Sequence, residues 1–178
     1  MKVFEGFKEG INLGGWISQF DKFDIEHFDT FITKKDIDYI ASLGYDHVRV
    51  PVDYTLFEND AGDIKELGFK YLDNCLKWCK ANNLKMIIDV HEVFGYSFDP
   101  SKPTDKEIFF YDEKLQQRFL NLWKRIATHY KDYSDIIAFE PLNEVVLFSV
   151  KDAWNKVIRK FIETVRPICP KTYLIIGG

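Results

Sequence analysis

Ten residues, Ile136 to Val145, read IIAFEPLNEV and close on an amide beside a carboxylic acid, Asn143-Glu144. A carboxyl group fixed at the edge of a fold can give or take a proton, so the pair is a candidate for acid–base chemistry. The stretch before it is apolar (Ile136, Ile137, Ala138, Phe139), too short for a helix, and follows the polar run Lys131 to Asp135. That is the pattern of a buried strand. In a parallel α/β barrel the C-terminal ends of strands hold the reacting groups, and this places the pair where chemistry is done. Alone, the same two residues read first as a helix cap or a solvated loop.

Three other apolar runs end in the same way. Arg49 lies in DHVRVPV, His91-Glu92 follows KMIIDV, and Trp16 follows GINLGG. Each has a plain alternative. Arg49 has Asp53 and Asp89 as possible ion-pair partners, and a lone His91 reads as a satisfied core histidine. Trp78, Trp123 and Trp154 fall in helical patterns and read as core, while His27 and His129 read as surface residues without partners. Converging on one end of a parallel sheet, the four strand ends make a site. A metal reading through His91, Glu92 and Glu144 has no recognisable ligand spacing, and neither a metal nor a cofactor is expected.

The elements that must hold these groups alternate. Lys8 to Leu13 is a first strand leading into the Gly14-Gly15 turn. Thr33 caps a helix with Ile37, Ile40 and Leu43 on one face and Gly44 as its stop. Asp46 to Val52 is the second strand. A helix over 68–80 carries Phe69, Leu72, Cys75, Leu76 and Cys79 inward, and Lys85 to Val90 is the third strand. A loop of roughly twenty residues follows, with Gly95, Pro100 and Pro103, of the length that is usually functional or disordered. A helix over 113–130, the strand at 136, a helical stripe from Trp154 to Val165 and a fifth strand from Thr172 to Ile176 complete the order. Strands alternating with helices mean βαβ units and a parallel sheet, an α/β fold. A complete eight-stranded barrel takes about 250 residues, so five strands are expected to form a half-barrel-like piece.

Composition excludes some classes. At 178 residues and 46% apolar content one sizeable core is expected. The net charge of −4 with no basic block argues against nucleic acid. No apolar run reaches membrane-spanning length and no signal-peptide core is visible, so the expected location is cytoplasmic, or secreted with a leader removed. Sixteen Phe, nine Tyr and four Trp suit either a large core or a surface that stacks flat ligands, sugars included. Cys75 and Cys79 share a helical face and read as packed rather than bridged, and Cys169 has no evident partner.

In order, GINLGGWISQF, DHVRVPVDY, IIDVHEVFGY and IIAFEPLNEV resemble the cellulase family of glycoside hydrolases, family five, over essentially the whole chain. The resemblance implies a TIM barrel and a retaining endo-glycosidase acting on β-1,4-glucan or a related polysaccharide. It implies that Glu144 is the general acid/base, that Asn143 binds the sugar 2-hydroxyl, that Arg49 supports the nucleophile, and that His91 is the active-site histidine. Trp16, Glu92 and Tyr96 are expected to bind substrate.

The departures matter as much. The family nucleophile comes from a seventh strand, so residues 1–178 are expected to be the N-terminal portion of the barrel, inactive alone. His91-Glu92 stands where His-His is frequent, Val93-Phe94 where Ala-Pro is usual, and Pro141 where a small or aliphatic residue is typical. Retaining hydrolysis needs two carboxyl groups about 5–5.5 Å apart. Glu140 is four residues, roughly 13 Å, from Glu144 along a strand. Glu92, otherwise a solvated loop acid, is the alternative. Open strand edges, with Val48, Val50, Ile87 and Ile137 lining an uncovered inner face, lead to an expected homodimer, or pairing with a complementing C-terminal half. The rival expectation is a self-associating half-barrel structural module, natural or engineered, without catalysis.

Overall fold

The structure, a computed structural model, describes residues 5–99 and 107–177. Pro100 and Pro103 lie outside the described residues. The chain divides into two compact units, 1–89 and 90–178. Its five strands form one parallel sheet in chain order, β1-β2-β3-β4-β5, with helices between them.

The first unit runs β1 (Gly10–Asn12), α1 (Ile25–Thr30), α2 (Lys34–Ser42), β2 (His47–Asp53), a 3-10 turn (Tyr54–Leu56) and α3 (Leu67–Ala81), then enters β3 (Lys85–Glu92). Helix α2 starts where Thr33 meets Asp36. The Asp36 carboxylate accepts from the Thr33 backbone N–H and from its hydroxyl, both at 2.8 Å. Gly44, at φ +89°, supplies the left-handed turn that ends it. Helix α1 has no counterpart in the sequence reading. It buries only Phe28 and is too short to show a period, but its Asp24 cap accepts from the Glu26 N–H at 3.0 Å.

The register of β1 on β2 pairs Asn12 with Arg49. Along β2, Val48, Val50 and Val52 are fully buried while His47 and Arg49 are half-buried. Alternation therefore puts the valines on one face and Arg49 on the other. Arg49 reaches Asn12 and Asp89, so that second face is polar. The expected apolar inner face is thus corrected. Val48 and Val50 are closed off within the single chain, and Ile87 and Ile137 are buried too.

The second unit continues from β3 to α4 (Ile108–Tyr111), α5 (Glu113–Tyr130), β4 (Ile137–Glu140), a 3-10 turn (Phe148–Val150), α6 (Lys151–Val165) and β5 (Tyr173–Leu174). Asp112 caps α5 by accepting from Lys114 N at 2.7 Å and Leu115 N at 3.2 Å. Strand β4 stops at Glu140, so Pro141 follows the ladder rather than interrupting it, and its carbonyl accepts from the Trp123 indole at 2.9 Å. Strand β5 has two residues rather than five.

Both cores are aromatic. Trp16 packs on Tyr71 and Trp78 with ring centroids 6.0 and 6.4 Å apart, and Trp123 meets Phe139 and Phe161 at 5.2 Å each. Much of the aromatic content is therefore core. Cys75 and Cys79 are buried and unbridged, with sulfurs 3.9 Å apart. Cys169, expected to be partnerless, donates to the Ala127 carbonyl at 3.3 Å. Among the described residues no helix is long and apolar enough to cross a membrane.

Candidate active site

In the first unit the polar group at the strand ends is an ion pair with an amide beside it. Arg49 places Nη2 2.9 Å from Asp89 Oδ2 and donates from Nη1 to Asn12 Oδ1 at 2.8 Å. Asp89 is fully buried and the Arg49 side chain is 22% exposed, so the guanidinium shields a carboxylate that water does not reach. Asp89, one of the two partners the sequence offered, is paired with Arg49. Asp53 accepts from Ser18 Oγ at 2.7 Å. Asn12 escaped the sequence reading, although it lies in the GINLGG stretch; the structure makes it the register partner of Arg49.

Trp16 is a correction. Its side chain is fully enclosed and its indole N–H donates to the Phe28 carbonyl at 2.8 Å, which leaves no ring face for a sugar. His27 is another. Its Nε2 lies 2.7 Å from the Gly15 carbonyl oxygen and its ring stacks on Phe31 at 4.6 Å, fixing the Gly14-Gly15 turn. His129 is exposed, with its ring 4.6 Å from Tyr130.

In the second unit, β3 ends on half-buried His91 and buried Glu92. Glu92 is not a solvated loop acid. Its Oε1 accepts from Ser97 Oγ at 2.7 Å, across a tight turn in which Val93 and Tyr96 exchange backbone bonds at 3.0 and 3.2 Å. Gly95, at φ +90°, makes that turn possible.

The turn delivers Tyr96 to the end of β4. Tyr96 is 1% exposed, packs against Phe109 and Phe110, and donates its hydroxyl to the Glu144 carbonyl at 2.9 Å. Burial pushes its phenol up to about 12, with the nearby Glu144 charge adding to the effect, so the hydroxyl remains a donor at any ordinary pH. Tyr96 is thus a support for Glu144 rather than the expected surface for substrate. Asn143 is buried. Glu144 is exposed and sits at φ +48°, in the left-handed region that a side chain other than glycine's rarely adopts. Such strain persists where the surroundings impose it. Here the Tyr96 bond holds the residue's own carbonyl and the Trp123 bond holds Pro141 three residues earlier. The carboxylate is presented to solvent on a fixed backbone, where a proton can be delivered to a bound molecule. Among the described residues, no three His, Cys, Asp or Glu side chains come together as metal ligands.

Comparison with known proteins decides the lineage. The sequence profile of the family Cellulase (glycosyl hydrolase family 5) matches residues 9–178. The chain belongs to this family. Among similar proteins, Endoglucanase C of Acetivibrio thermocellus is 47% identical over 174 residues, which is 97% of this chain and 50% of that protein. Cellodextrinase A of Ruminococcus flavefaciens is 39% identical over 173 residues, 97% of this chain and 51% of that one. The chain spans about half the length of the curated relatives it matches. Among solved structures, endoglucanase Cel5A of the hyperthermophilic Thermotoga maritima superposes with a TM-score of 0.76 at 27% identity, over 97% of this chain and 52% of that one. The fold is accordingly that of the first strands of a glycosidase TIM barrel.

Proposed function

We propose that this chain is the acid/base-bearing portion of a retaining glycosidase that cuts β-1,4-linked glucan. The observation that carries it is Glu144, an exposed carboxylate at the end of a barrel strand, strained at φ +48° and fixed through its own carbonyl by buried Tyr96. Kinship with Endoglucanase C supports the substrate class. In this reading Glu144 protonates the leaving oxygen, Asn143 hydrogen-bonds the 2-hydroxyl, Arg49 supports the nucleophile and His91 lines the site. The polymer would be met outside the cell or after uptake, as a secreted or a cytoplasmic protein would meet it.

Neither acid weighed from the sequence is proposed as the second carboxyl group. Glu140 precedes Glu144 by four residues along the chain, and Glu92 is engaged by Ser97. The nucleophile is therefore proposed to come from the half of the relatives' length that this chain does not span. The 178 residues alone should give no glucan hydrolysis above blank, and mixing with a complementing half should restore it. In that active form Glu144→Gln should abolish cleavage of unactivated glucan while sparing binding, because the amide keeps shape but carries no transferable proton. Near wild-type cleavage by Glu144→Gln would overturn the role.

A second copy is the other reading, favoured by one feature: Gly10, Ile11 and Asn12 of edge strand β1 are all exposed. Light scattering should then give a dimer, and Ile11→Lys, which puts a charge on the exposed edge, a monomer. A monomeric wild type would dismiss it.

A further inference from the structure

Beyond Glu144 the same loop presents an aromatic ring to solvent. Phe148 is 87% exposed, and Tyr111 is 62% exposed. A single exposed ring is ordinary on its own; Phe148 stands out because it is four residues past Glu144, on the loop that carries the acid. The loop that carries Phe148 is not slack. Tyr111 Oη donates to the Ser149 carbonyl at 3.3 Å, and Ser149 Oγ donates to Glu107 Oε1 at 2.6 Å. With the Trp123 bond to Pro141 and the Tyr96 bond to Glu144, the stretch 141–149 is tied at both ends by side chains from α4, α5 and the turn after β3. Four polar contacts thus hold in place a segment whose most prominent side chain is apolar. That arrangement suits a binding platform, since a pre-ordered ring loses little freedom when it is covered.

The chemistry of the segment says what covers it. Val145 to Val150 carries no ionisable group, and Glu107 lies beside it, so an anionic partner is disfavoured. The Lys151 ammonium sits 6.0 Å from the Phe148 ring centroid, at the outer limit of a cation–π contact, and leaves the ring open. A neutral ligand with a flat apolar face fits, and the axial C–H face of a glucopyranose ring is one. Phe148 is four residues from Glu144, so their Cα atoms lie at most about 14 Å apart.

We infer that Phe148, with Tyr111 beside it, is a stacking subsite for a glucosyl ring of the chain bound at Glu144. This rests on the glucanase reading above and adds the residues that hold the polymer next to the acid.

Calorimetric titration of the chain with the β-1,4-linked glucose pentamer tests it. Wild type should bind the pentamer. Phe148→Ala should bind about tenfold more weakly, as the loss of one aromatic face predicts. Phe148→Trp should bind as well as wild type or better, and Tyr111→Phe should bind more weakly because the tether to Ser149 is gone. Since Phe148 is exposed, its variants should unfold at the wild-type denaturant midpoint, which separates lost binding from lost folding. Pentamer binding that ignores Phe148→Ala overturns the subsite and leaves the glucanase reading standing. No pentamer binding by wild type overturns the subsite, while hydrolysis by the complemented enzyme tests the glucanase reading separately. A shift from dimer to monomer in Phe148→Ala, with sugar binding unchanged, would show that a second copy covers the ring and overturn the subsite.

Discussion

Tyr96→Phe removes one hydroxyl and leaves the ring packed on Phe109 and Phe110, at centroid distances of 6.1 and 5.2 Å. What it takes away is the 2.9 Å bond to the Glu144 carbonyl. A neutral hydrogen bond of this kind is worth about 1 kcal/mol net, so at neutral pH the variant should be less stable by about that much. The sign changes in alkali. The folded phenol is pushed up to about 12 from an ordinary value of 10.0, so between these the unfolded chain loses a proton that the folded chain keeps. Folded protein then binds more protons, and stability falls as pH rises, by at most about 1.4 kcal/mol per pH unit for one proton. Phenylalanine has no proton to lose. Tyr71, whose phenol burial also raises, is common to both proteins and cancels in the difference. Urea unfolding followed by tryptophan fluorescence should therefore show the tyrosine advantage intact up to about pH 9, shrinking above 10, and gone or reversed by about 11.5. A stability gap that stays constant across that range would refute a buried, protonated Tyr96 as the support of Glu144.

Glu144→Gly should raise stability by about 1 kcal/mol, because glycine adopts φ +48° without strain, while abolishing activity in the complemented enzyme; a destabilised variant would show that the side chain, not the backbone, holds the loop. Arg49→Ala should cost about 3–5 kcal/mol by leaving buried Asp89 without its counter-charge, and Arg49→Met with Asp89→Leu should recover most of it; equal losses in the single and double variants would deny the coupling. Trp16→Ala should cost about 3–5 kcal/mol in chemical denaturation, as expected of a core ring; if it instead weakened pentamer binding at unchanged stability, Trp16 would be a sugar contact after all.

Helices that bury a stripe were legible because their apolar spacing and their caps agree. Thr33 marks a start that holds in the structure, where Asp36 joins it, and Asp112, which the sequence reading did not single out, caps the helix read over 113–130. Strand positions were legible too, since a parallel strand is a run of aliphatic residues with polar ends. Which face of β2 looks inward was not. Val48, Val50 and Val52 alternate with Arg49 and Pro51, and a strand covered on both sides gives no contrast in hydropathy to orient it. Only the Arg49 contacts with Asn12 and Asp89 settle the matter, and those join residues 37 and 40 positions apart.

The site shows the same division. Asn143-Glu144 announced itself by ending an apolar run, which is a local property. Its supports did not, because support is a matter of what a side chain reaches. Tyr96 meets Glu144 across 48 residues, and nothing in VFGYS separates a buried hydroxyl that holds a carbonyl from an exposed ring that stacks on sugar. The same ambiguity misplaced Trp16, whose indole N–H is satisfied by the carbonyl of Phe28 in a helix too short to be foreseen. Aromatic residues carry both possibilities in one side chain, an apolar body for the core and a polar tip for a partner. Burial is what decides between them, and it sends Trp16 and Tyr96 inward while leaving Phe148 in the open, the ring that the sequence alone gave no reason to single out.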